Sequence, residues 1–236
     1  MAFLPRSTIC AVLLLLVACG KTDAPETSSS SAAQAASAPA LPPSAVIVAP
    51  QTKSPTKTYE GPFGLAMGIQ IKELEEELGF KKRSETTYTG TPPKPASSFE
   101  QYFISAAPSA GVCRIIATHD VKGVSGSGDQ LKAATDSIAE MLEVKYGKPT
   151  EKFNFASQDV YKRNPKFWMM ALMKDDVTYS YWWMKGKSFD PPNDISAITL
   201  EAQSSSIEDG YVRLTYIFSN EKACMDETKR QKSTNL

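Results

Sequence analysis

Between residues 24 and 57, Ala supplies nine of the 34 positions, Ser seven, Pro six and Thr three, and the stretch holds no aromatic residue. A segment of that make-up cannot bury enough apolar surface to offset its ordering entropy. Folded structure is therefore confined to what lies beyond it, and the composition predicts a disordered tether. A coil of about 38 residues has a root-mean-square reach of roughly 35 Å, which its prolines lengthen. Val46-Ile47-Val48 is the one apolar triplet in the stretch and is assigned to the linker.

The 18 residues at the start have a different layout. Met1 to Arg6 carries one positive charge, Ile9 to Val17 is a short apolar run, and small residues follow, as in a secretory signal peptide. Crossing a hydrocarbon layer of roughly 30 Å takes about 20 apolar residues, so the run is too short for an anchor helix. Its exit, Leu16-Val17-Ala18-Cys19-Gly20, resembles the lipobox of bacterial lipoproteins. In that family the cysteine thiol is diacylglycerylated, the signal is cut just before it, and the new amino group is usually acylated. The resemblance implies that Cys19 is the first residue of the mature chain and the point of lipidation. It also implies that the membrane is engaged through lipid alone, since several acyl chains suffice for stable attachment. Within the family an Asp after the cysteine favours retention at the inner membrane; Gly20 stands there, which implies an outer-membrane lipoprotein facing the periplasm.

Residues 59–236 alternate turn residues with periodic segments and suit one domain, with a possible subdivision near 149. Ile71, Leu74 and Leu78 fall at helical spacing among glutamates. Asp129 to Tyr146 carries Leu131, Ala134, Ile138, Met141 and Leu142 on one stripe, closed by Gly147, with Ser127 or Asp129 as the expected N-cap. Strands are predicted over 84–88, 100–105, 112–118, 177–185, 195–203 and 211–220, and a short helix over 167–173. The tail from Glu221 is polar and compatible with a helix. Strands punctuated by separate helices predict an α+β fold: an antiparallel sheet of about six strands with two main helices packed on it.

Cys10 leaves with the signal and Cys19 takes lipid, so the domain keeps Cys113 and Cys224. In an oxidising envelope compartment one disulfide is the economical outcome, two free buried thiols the alternative. Closing a loop of about 110 residues stabilises by roughly 4 to 5 kcal/mol in the chain-entropy model.

Candidates for catalysis are few. His119 is the only histidine, no Gly-x-Ser-x-Gly surrounds a serine, and no Cys-x-x-Cys is present, so no catalytic residue, metal site or cofactor is assigned. Gly123 to Gly128 lacks the spacing of a phosphate loop. With 26 basic against 26 acidic residues and no basic block, nucleic acid is not a predicted partner. The acidic pairs Asp175-Asp176, Asp190 with Asp194, and Glu208-Asp209 all fall in predicted turns, where such residues serve the backbone. Two carboxylates at the right separation could still hydrolyse a glycan.

Aromatic and methionine density peaks between Phe167 and Met184. On the strand there, Tyr179, Tyr181 and Trp183 share one face, and Trp182 and Met184 the other. Either the Asp129 helix covers one face and the Phe167 segment the other, or Trp168, Trp182 and Met184 contribute to a partner surface. Two functions follow as expectations: a lipid-anchored binding or accessory module for an envelope protein, and an envelope glycan or peptidoglycan hydrolase.

Overall fold

Gly111–Val121 is the longest strand, and its β-branched Val112, Ile115, Ile116, Thr118 and Val121 explain why it extends so far. In the computed structural model, which describes residues 59–186 and 189–234, it is β4 of eight strands. The others are β1 (Lys81–Lys82), β2 (Thr87–Thr89), β3 (Gln101–Ala107), β5 (Glu151–Ala156), β6 (Val177–Met184), β7 (Ile195–Ser204) and β8 (Gly210–Phe218). The signal segment, Cys19 and the tether to residue 58 lie outside the described residues.

The sheet is antiparallel throughout, in the order β1-β2-β3-β4-β8-β7-β6-β5. Two four-stranded meanders thus join through their last strands, and the sheet runs unbroken past residue 149. Five α-helices accompany it among the described residues: α1 (Ile71–Glu76), α2 (Asp129–Tyr146), α3 (Asp159–Arg163), α4 (Trp168–Met173) and α5 (Glu221–Thr234). The class is α+β, with eight strands in place of about six. Of the two additional strands, β1 is a two-residue edge, and β5 carries Glu151, Lys152 and Asn154 beside its two phenylalanines. Both are edge strands, paired on one side only, and need little apolar surface of their own.

Helix α2 crosses one face of the sheet with Leu131, Thr135, Ile138, Ala139 and Leu142 buried. Its start is set by Gly128, in the left-handed region at φ 73°, rather than by a Ser127 or Asp129 cap. A side chain there would have its Cβ 2.0 Å from the Trp168 ring, so the close approach of α4 demands glycine. Gly126 serves the same contact, accepting a hydrogen bond from Met169 N at 3.0 Å. The glycine-rich loop is a packing device between α2 and α4.

Helix α5 lies on the opposite face, against β3 and β4. Ser105 pairs with Arg114 and Ala106 with Val112, leaving Cys113 as the extra residue of a bulge. Cys113 and Cys224 form a disulfide, with their Cα atoms 6.5 Å apart. One turn along α5, the Glu227 carboxylate accepts hydrogen bonds from Ser109 N at 3.0 Å and Ala110 N at 3.3 Å, capping the β3–β4 turn, and Arg114 pairs with Glu221.

The double variant Cys113→Ser, Cys224→Ser is expected to lose about 4 to 5 kcal/mol in urea unfolding, with α5 amides exchanging faster than those of α2. A loss below about 1 kcal/mol with α5 still protected would show that the polar contacts hold this helix unaided.

Candidate functional site

Strand β6 divides the aromatic cluster between two environments. Toward α2 it sends Tyr179, Tyr181 and Trp183, all buried, Trp183 completely. Trp183 donates through Nε1 to Gly147 O at 2.7 Å, fixing the end of α2. Tyr179 and Tyr181 both donate to one oxygen of Asp136, at 2.6 and 2.5 Å, while Lys152 reaches the Tyr181 hydroxyl from β5. Burial first, and then the Asp136 carboxylate that accepts its proton, push the Tyr179 phenol up to about 12. Burial raises Tyr181 further still, helped by Asp136 and Tyr179. These hydroxyls are held as donors, so the cluster is a clamp between α2 and the sheet.

The other face of β6 carries Thr178, Ser180, Trp182 and Met184. Register aligns a row across all eight strands there: Glu151, Trp182, Thr199, Thr215, Ile116, Phe103, Thr89 and Lys81. Beside it runs a second row of Phe153, Ser180, Glu201, Arg213, Thr118 and Gln101. Arg213 Nε donates to Glu201 at 3.1 Å across this second row. Trp182 is half-buried and packs edge-to-face on Phe153, with ring centroids 5.0 Å apart; its indole N–H is enclosed without an acceptor among the described residues. Phe155, next on the same face of β5, is 57% exposed. Helix α5 packs on β3 and β4, at the other end of the sheet, and leaves the aromatic residues of the β5–β6 end uncovered; the short α3 that follows β5 is the helix that contacts that strand.

Of the residues expected at a partner surface, Trp182 and Met184 sit on this open face. Trp168 does not. It is only 7% exposed, enclosed by Gly128, by Tyr179 at 6.2 Å between centroids and by Lys132, whose Nζ stands 4.4 Å from its ring centre. The Phe167 segment therefore packs on the same face as α2, because the glycine-rich loop draws it there. Phe153 and Phe155 belong to the surface in its place; their signal in sequence is the alternation Phe153-Asn154-Phe155 after Pro149.

The remaining candidates are engaged locally. His119 Nδ1 lies 3.0 Å from Glu100, whose second oxygen accepts from Asp120 N. Asp176 accepts from Ser157 and Gln158, Asp209 from Gly123 N, and Asp190 faces Lys185. Asp175 and Asp194 hold positive φ in turns. Among the described residues no three His, Cys, Asp or Glu side chains group as metal ligands would.

Two outcomes follow. Trp183→Ala should cost about 3 to 5 kcal/mol in chemical denaturation, and Trp182→Ala less than half of that, since it loses an edge contact and partial burial. For the clamp, both tyrosines titrate higher folded than the value near 10 expected unfolded. The stability they confer is whole below pH 10 and is lost as pH rises from 10 toward 12. Asp136→Asn should bring tyrosinate absorbance in at lower pH; an unchanged titration would remove Asp136 as a cause. No protein-family model and no curated protein matches the chain, so what the open face engages is argued from its chemistry.

Proposed function

We propose that the protein is a lipid-anchored envelope lipoprotein whose folded part is a binding module for an envelope protein. In this proposal Cys19 carries the lipid, residues 19–58 are the tether, and Gly20 directs the chain to the outer membrane, facing the periplasm. The charged start, apolar run and Leu16-Val17-Ala18-Cys19 support the anchor. The observation that carries the binding role is the open sheet face with Phe153, Phe155, Trp182 and Met184, at an end of the sheet away from α5. Aromatic and methionine side chains on a rigid strand surface are characteristic interface anchors. Two of them lie on β5, an edge strand that also offers free backbone groups for pairing with a partner.

Cys19→Ala should abolish palmitate labelling and release the protein from membranes. A photo-crosslinking residue at Phe155 or Thr178 should trap one envelope protein in intact cells, whereas the same residue at Glu140 on α2 should not. Equal adducts from both faces, or none from the open one, would defeat the binding role; retained labelling in Cys19→Ala would defeat the anchor.

A further inference from the structure

Beside the C-terminal half of α2, on the sheet face opposite Trp182, lies a cleft of about 460 Å³. Phe63 and Phe99 form one wall, Ile138, Met141 and Leu142 another, and Leu214 and Tyr216 contribute from the sheet. Its volume falls within the roughly 300 to 1,000 Å³ of small-molecule sites.

The walls are built rather than left over. Phe63 sits in the left-handed region at φ 56° and ψ 21°, where a bulky residue is an outlier. It is held there by edge-to-face contacts with Phe99, Tyr102 and Tyr216, whose centroids lie 5.8, 5.0 and 5.7 Å away. Lys94 N donates to Phe63 O at 3.0 Å and ties the two loops of that wall together. The Tyr102 hydroxyl meets Ala96 at both its N, 2.9 Å, and its O, 3.1 Å. Across the gap, Met141 is 51% exposed, an apolar side chain standing in water beside an apolar wall.

Charge selects the ligand. Lys94 and Lys145 both line the cleft, one from each side, and no acidic residue lines it. Neither lysine has an ion-pair partner among the described residues; Lys145 Nζ stands 5.1 Å from the Tyr146 ring. An apolar, aromatic-walled cleft with two uncompensated cations is complementary to an apolar tail with an anionic head. We infer that this cleft binds a single-chain amphiphile with an anionic head, of the fatty-acid type, free in solution. The inference does not depend on the open sheet face, which lies on the other side of the sheet.

Calorimetry with the full chain carrying Cys19→Ala, purified without detergent, provides the test, with dodecanoate and dodecanol as probes. Dodecanoate should bind saturably, one per chain. Lys94→Ala combined with Lys145→Ala should weaken dodecanoate at least tenfold and leave dodecanol within twofold. Met141→Trp, which fills the cleft at an exposed position, should abolish binding of both, and Met141→Glu should weaken dodecanoate alone; unchanged melting temperatures establish that these variants fold. Absence of saturable dodecanoate binding, or binding indifferent to the lysine pair and to Met141→Trp, would overturn the inference. Recruitment to phosphatidylglycerol vesicles that requires both lysines, with no binding of free dodecanoate, would overturn it too, because the acyl chain would then come from a bilayer.

Discussion

The pairing of β4 with β8 is the seam on which the architecture depends. Eight residue pairs, from Arg114 with Ile217 to Val121 with Gly210, join two meanders that would otherwise each be a four-stranded sheet with two open edges. Chain order makes that seam demanding. After β4 the chain has to travel to β5 at the far edge, four strand spacings or about 19 Å away, before returning through β6 and β7 to β8. Helix α2 supplies the distance: 18 residues at 1.5 Å each give about 27 Å, enough to cross those strands while burying one stripe on β6, β7 and β8. The Tyr179–Asp136–Tyr181 clamp and the Trp183 bond to Gly147 O fix where that crossing ends.

Putting α2 and α4 on one face leaves the other to solve its own problem. Along the central strands it does so with small hydroxyl residues, Thr118, Thr215 and Ser180, each nearly inaccessible between larger neighbours, and with the Arg213–Glu201 pair laid across them. Toward β5 the solution changes to Phe153 against Trp182, with Phe155 and Met184 beside them. Polar closure of the centre is what isolates this apolar end as a distinct patch, and it separates the patch from the cleft at Phe63, which opens on the helical side.

Much of this was legible in sequence where one period governs a long segment. The bounds of α2 follow from a stripe ended by Gly147, and the opposed faces of β6 from strict alternation. What could not be read were features set by distant neighbours. Gly128 starts α2 because Trp168, 40 residues on, occupies the space where a side chain would be; in sequence, Ser127 and Asp129 are the better caps. Trp168 itself belongs to the core for the same reason. Strand β5 has too few apolar residues to announce itself and exists because β6 offers an edge. The cleft is invisible in sequence, since its walls come from segments around residues 63, 99 and 141, and none carries a motif.

Helix α5 shows how a polar segment is kept on a sheet that gives it little to bury. Of its first turns only Cys224 and Glu227 are buried, and Met225 and Ala223 face outward. Hydrophobic attachment is therefore weak, and the contacts that remain are of a kind that needs proximity first. Glu227 caps a turn whose N–H groups water would otherwise satisfy, and Glu221 meets an arginine that is itself partly solvated. Bringing Cys113 out of the ladder with a bulge costs a strand pair but places its sulfur where α5 passes, and the covalent bond then makes those polar contacts intramolecular over a short span. The helix is thus joined to the sheet by a bond that persists where thiols oxidise. That chemistry agrees with the envelope location proposed from Cys19 near the other end of the chain.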